Sequence, residues 1–140
     1  YVIASERAKF VSAYTSSGLT PDGSSTYYLA KHVGLLRAKE LMLTNRVLTA
    51  AEAQSWGLVN RVVPPETVMD EACAMAQQIA SGPTKAFGGV KRLLDTAFSD
   101  GLETQLDRET RSIADMMRTN DGPAGITAFL AKKTPRFEGT

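Results

Sequence analysis

The chain has 140 residues, 43% hydrophobic and 22% charged, the balance of one modest globular domain. Its net charge of +1 gives no electrostatic footprint for nucleic acid or an anionic membrane surface, and no apolar run approaches the roughly 20 residues that span a bilayer. A single cysteine, Cys73, excludes an internal disulfide and a cysteine-based zinc cluster, and fits a reducing, cytoplasmic compartment.

Tyr1-Val2-Ile3-Ala4-Ser5 lies within an apolar β-type run that reads as a fully buried strand of a parallel sheet. Partner strands for it are hard to find downstream, so an upstream segment is expected to precede the chain. Phe10 to Tyr14 reads as extended, and Ser16-Ser17-Gly18 and Pro21-Asp22-Gly23 read as turns. A helix is predicted from Ser24 or Ser25 to about Val33, closed by Gly34, and a second from Leu35 to Thr44. Thr49-Ala50-Ala51-Glu52 is a capping box that starts a short helix ending at Gly57. Leu58 to Val63 is rich in β-branched residues and reads as a strand, stopped by Pro64-Pro65.

The remainder reads as helical. Apolar residues recur near helical period from Glu66 to Ile79, with Cys73 and Trp56 expected to pack as core. Ser81-Gly82-Pro83 is a break. Further helices are predicted at about Thr84 to Ala97, Leu102 to Met117 and Pro123 to Lys132, the last introduced by Asp121-Gly122-Pro123 and followed by an irregular tail. Residues 1–63 are thus mixed α and β, and residues 64–140 nearly all helix. Four such helices need a partner face for their apolar stripes, so the second part is expected to be an oligomerisation region.

Chemically the chain is spare. It has no P-loop, no dinucleotide fingerprint, no metal-ligand spacing and no nucleophile elbow, so no metal or bound cofactor is expected. Asp22 is the carboxylate in an informative place, on a turn just before a helix. There it reads either as a turn residue or N-cap, or as a base or nucleophile. His32, the single histidine, lies near a helix C-terminus, where positive charge is favoured without any catalytic role. Lys39 and Lys91 read as solvated.

The ordered set Ala8-Lys9-Phe10, Gly18-Leu19-Thr20-Pro21-Asp22-Gly23, Arg37-Ala38-Lys39-Glu40-Leu41, Ala51-Glu52-Ala53 and Trp56-Gly57-Leu58-Val59-Asn60-Arg61-Val62-Val63 resembles the crotonase (enoyl-CoA hydratase/isomerase) superfamily. The ending Gly125-Ile126-Thr127-Ala128-Phe129-Leu130, with Lys132-Lys133 and Pro135-Arg136-Phe137, is similar to that superfamily's C-terminus. The resemblance covers essentially the whole chain. It implies an α/β class: the C-terminal portion of a ββα spiral, followed by a helical trimerisation region. It further implies homotrimers or hexamers acting on an acyl-CoA thioester, where coenzyme A is part of the substrate. Two backbone N–H groups then hold the thioester oxygen as an enolate forms. Both donors belong to the N-terminal half in family members, so this chain alone is expected to be inactive.

The resemblance also ranks reactions. The hydratase branch has a catalytic glutamate where this chain has Tyr14, and a glycine where it has Asp22. Isomerases of the superfamily, the 1,2-epoxyphenylacetyl-CoA isomerases among those it looks like, and the 4-chlorobenzoyl-CoA dehalogenases resemble this chain more around positions 9–14 and 22. The expectation is therefore double-bond isomerisation with Asp22 as proton shuttle. Hydration, aromatic dehalogenation or a non-catalytic assembly module are the alternatives. Tyr14 and Pro21 are expected at the substrate, Tyr14 as an acyl-pocket wall or simply a core aromatic. Phe129 and Lys132 match positions that meet the adenine and phosphates of CoA on a neighbouring subunit, against a plainer reading as core Phe and solvated Lys.

Overall fold

The structure, a computed structural model, describes residues 1–140. The elements in chain order are β1 (Ile3–Ser5), β2 (Lys9–Phe10), α1 (Ser25–Val33), α2 (Leu35–Thr44), β3 (Leu48–Thr49), α3 (Ala50–Ser55), β4 (Arg61–Val63), α4 (Val68–Ala80), α5 (Thr84–Thr96), α6 (Leu102–Met116) and α7 (Asp121–Leu130). Two compact units are distinguishable, Tyr1–Cys73 and Ala74–Thr140.

In the first unit β1 pairs in parallel with β4, in the register Ile3 to Arg61, Ala4 to Val62 and Ser5 to Val63. The partner strand that is hard to find downstream is therefore β4. The partner falls within the predicted strand Leu58 to Val63, but it lies far along the chain, so no local pattern announces the pairing. Asn60 extends the pairing, since its side-chain Oδ1 accepts from the Val2 N–H at 2.7 Å and its own N–H donates to the Val2 carbonyl at 3.0 Å. Nor is the run Tyr1–Ser5 fully buried: Ala4 is, whereas Ile3 and Ser5 are half-buried and Tyr1 and Val2 are exposed. β2 and β3 form a separate antiparallel pair, Phe10 opposite Leu48.

The core lies wholly within this unit. Ala4, Ala53 and Val59 cluster, with Ala8, Phe10, Leu58 and Val62 against them. Leu58 and Val59 belong to the turn after α3 rather than to the predicted strand, because the Leu58 N–H is spent on the Ala53 carbonyl. Leu48 is fully buried, so Leu48→Ala is expected to cost about 2–5 kcal/mol.

Local chemistry explains the helix boundaries. Gly34 separates α1 from α2 at φ 80° and ψ 159°, a conformation open in practice to glycine alone. The Thr49 hydroxyl accepts from the Glu52 N–H at 3.3 Å while the Glu52 carboxylate accepts from the Thr49 N–H at 2.9 Å, completing the capping box of α3. Donation from the Thr49 N–H, and after it from the Thr49 hydroxyl at 2.9 Å, holds the Glu52 carboxyl below its ordinary pKa. Arg46 joins Glu52 at 2.6 Å and Glu40 at 3.4 Å.

Trp56 is not core. It is half-buried, with the guanidinium carbons of Arg37 and Arg46 at 4.9 and 5.4 Å from its ring centroid. The ring offers its electron-rich face to cations. That contact accompanies a buried Arg46 Nη1 with no hydrogen-bond partner.

The second unit is helical and buries little within one chain. α6 has no buried residue, nor has α4, whose Val68–Cys73 end belongs to the first unit and whose Cys73 is exposed instead of packed; Ile79, Leu102, Leu106 and Ile113 lie at the surface. α5 packs on α6 through the buried Gly89. Gln105 of α6 ties to α5, its Nε2 donating to the Leu93 carbonyl at 3.1 Å.

The tail is pinned, which the sequence did not announce. Asp121, 5% exposed, accepts from the Glu138 and Gly139 N–H groups at 2.8 and 2.9 Å. The Asn120 N–H donates to the Thr140 carbonyl at 2.9 Å. At Gly122 the backbone passes so close that a Cβ would sit 2.2 Å from the Met116 carbonyl oxygen.

Candidate functional site

Tyr14 opens a single 3₁₀ turn, Thr15–Ser17, that ends at Gly18 with φ 72°. Its carbonyl accepts from the Ser17 and Leu19 N–H groups at 3.0 and 3.1 Å. The predicted extended run therefore stops at Phe10, because these turn hydrogen bonds compete with strand geometry. The turn is braced by the end of α2. The Thr15 hydroxyl lies 2.6 Å from the Met42 carbonyl and 3.0 Å from Asn45 Oδ1, which also accepts from the Ser16 N–H at 3.3 Å. Asn45 itself caps α2 in the left-handed region at φ 53°. Asparagine tolerates that conformation, and it was the sequence signal that could have identified this brace.

Asp22 follows Pro21 in the bend before α1. Its carbonyl accepts from the Ser25 N–H and hydroxyl at 3.0 and 2.7 Å. The N-cap of α1 is Ser24, with no side-chain capping bond, so the Asp22 carboxylate is not used as a cap. Instead Asp22 Oδ1 accepts the Tyr14 hydroxyl at 2.9 Å. That hydrogen bond, together with the negative charge beside it, raises the pKa of the Tyr14 phenol above its ordinary value. Asp22 is exposed, whereas Tyr14 and Pro21 are half-buried.

A cavity of about 220 Å³ in the same unit is lined by Phe10, Val11, Ser12, Leu29, Leu41 and Leu58. It is almost entirely apolar, and neither Tyr14, Pro21 nor Asp22 lines it. His32 lies exposed in the last turn of α1.

In the second unit Phe129 and Lys132 stand together at the end of α7. Phe129 is 81% exposed. The Lys132 N–H donates to the Phe129 carbonyl at 3.0 Å and the Lys133 N–H to the Ala128 carbonyl at 2.9 Å, a Schellman pattern. The left-handed position of such a motif usually belongs to glycine; here it is Lys132, at φ 54°. No group of His, Cys, Asp and Glu side chains is arranged to hold a metal ion. No helix is long and apolar enough to cross a membrane.

The chain is 39% identical over 138 residues to the 1,2-epoxyphenylacetyl-CoA isomerase of Escherichia coli K12, covering 99% of the chain and 53% of that protein. It is 38% identical over 111 residues to 4-chlorobenzoyl coenzyme A dehalogenase-1 of an Arthrobacter species, covering 79% of the chain and 40% of that protein. The crystal structure of an enoyl-CoA hydratase/isomerase from Cupriavidus metallidurans CH34 superposes with a TM-score of 0.92 at 37% identity, covering 99% of the chain and 52% of that structure. The chain thus spans about half the length of the relatives it matches, and it has the crotonase fold over that half. The enoyl-CoA hydratase/isomerase family model matches residues 1–140 from end to end, and the chain belongs to that family.

Proposed function

We propose that this chain supplies the proton shuttle and part of the CoA-holding surface of an acyl-CoA double-bond isomerase. The observation that carries the reading is the Asp22 carboxylate, released from helix capping and held at 2.9 Å by the Tyr14 hydroxyl. In the proposed step, a carbon–hydrogen bond beside the conjugated system breaks. The proton passes to Asp22, and the electron pair moves into the thioester as an enolate. The proton then returns from Asp22 to another carbon of the same system, so no external oxidant or reductant enters. The amides that hold the enolate oxygen are expected from an N-terminal half corresponding to the rest of the relatives' length. Exposed Phe129 offers a face for adenine and Lys132 an ammonium for phosphate. The uncovered apolar stripes of α4 and α6 support assembly with further copies as a trimer or hexamer. The lone Cys73 accords with a cytoplasmic setting.

A second reading is favoured by the similarity to the 4-chlorobenzoyl-CoA dehalogenase of Arthrobacter. There Asp22 would attack an aromatic ring carbon and displace halide. A panel of CoA thioesters, assayed on the complete native protein for double-bond migration, hydration and halide release separately, tests both. Migration is the expected outcome. Halide release without migration selects the second reading, and hydration alone contradicts both.

A further inference from the structure

We propose that Tyr14 is a positioning residue for Asp22: its phenol holds carboxylate Oδ1, so that Oδ2 alone is presented for proton transfer. The inference rests on the reading of Asp22 as proton shuttle and assigns Tyr14 a role other than acyl-pocket wall.

Four observations support it. The Tyr14 hydroxyl donates to Oδ1 at 2.9 Å, whereas Oδ2 accepts no hydrogen bond within the chain. Tyr14 does not line the apolar cavity of this unit, so its ring is not a wall of that space. Its turn is fixed from a different element, through Thr15 and Ser16 on Asn45, so the backbone that carries the Tyr14 ring is braced independently of the Asp22 bend. The phenol, whose pKa the adjacent carboxylate raises, is a hydrogen-bond donor throughout the neutral range, as an ordinary tyrosine is.

The bend alone leaves Asp22 free to rotate. Pro21 fixes its own φ, and Gly23 sits at φ 58°, but neither restrains the carboxylate torsions. The hydrogen bond does. When the substrate carbon–hydrogen bond breaks, the proton goes to Oδ2 and the electron pair goes to the thioester. Oδ1 then accepts the Tyr14 hydroxyl both before the transfer, as a carboxylate oxygen, and after it, as a carbonyl oxygen. The Tyr14 proton never leaves its oxygen, and the return step reverses the sequence at a different carbon. A carboxylate misplaced by about 1 Å loses on the order of a hundredfold in rate.

The test is Tyr14→Phe in the complete native protein, alone and combined with Asp22→Asn. The phenylalanine ring preserves packing and deletes only the hydroxyl. Expected are a ten- to hundredfold fall in kcat and in solvent-deuterium wash-in at the substrate α-carbon, KM within about twofold, an unchanged unfolding midpoint, and no further loss in the Asp22→Asn background. A raised KM with intact kcat would make Tyr14 a pocket wall and overturn the inference. So would an equal loss in both backgrounds, or unchanged kcat while Asp22→Asn is inactive; each of these leaves the shuttle reading standing. Full turnover by Asp22→Asn removes the shuttle and the positioning role together.

Discussion

Lys132 gives a prediction in which stability and function move in opposite directions. It occupies the left-handed position that closes α7, at φ 54°, between two backbone hydrogen bonds that define the motif. A non-glycine residue there costs roughly 1–2 kcal/mol, and glycine loses roughly 0.5–1 kcal/mol more conformational entropy on folding than alanine. The difference leaves Lys132→Gly more stable by about 0.5–1 kcal/mol, a rise of a few degrees in Tm. Lys132→Ala keeps the strained conformation and gains nothing. If the ammonium meets a CoA phosphate, both variants lose about 1–2 kcal/mol of CoA affinity, the scale of a charged hydrogen bond. Denaturant unfolding and calorimetric titration with CoA separate the two effects. A glycine variant no more stable than the alanine variant would refute the strain argument. Unchanged affinity in both would return Lys132 to the role of a solvated lysine.

Two other predictions concern the scaffold. Asp121→Asn replaces one of two acceptors facing the Glu138 and Gly139 N–H groups with a donor, and should cost about 2–3 kcal/mol. Amide exchange at those two positions should accelerate first; unchanged exchange would mean the tail is held elsewhere. Glu52, with its pKa depressed in the folded state, stabilises the fold fully above its unfolded pKa of about 4.3, and that contribution disappears as pH falls through the folded value. Glu52→Gln should therefore be less stable than the parent at pH 7 and converge with it in acid, a convergence that urea titrations at several pH values would expose or deny.

Elements set by local chemistry were legible in the sequence. Gly34, the Thr49 and Glu52 box, Pro64-Pro65 and Ser81-Gly82-Pro83 each fix a backbone state within a few residues, and the helices begin and end close to them. Features built from distant residues were not legible. The pairing of β1 with β4, the Asp121 clamp on the tail and the cation-flanked Trp56 each join segments whose proximity no local period encodes. Asp22 was visible as a carboxylate on a bend. Its partner was not, because a hydrogen bond from Tyr14 depends on how two turns face each other.

The central claim is that one carboxylate carries the proton. Asp22→Asn keeps the side chain's shape and removes its basicity, so it isolates that function. The decisive measurement is the single-turnover rate of double-bond migration for Asp22→Asn in the complete native protein, with CoA-thioester affinity measured alongside. The account predicts a loss of at least a hundredfold in rate with affinity preserved within about twofold. Migration at the parent rate would contradict it.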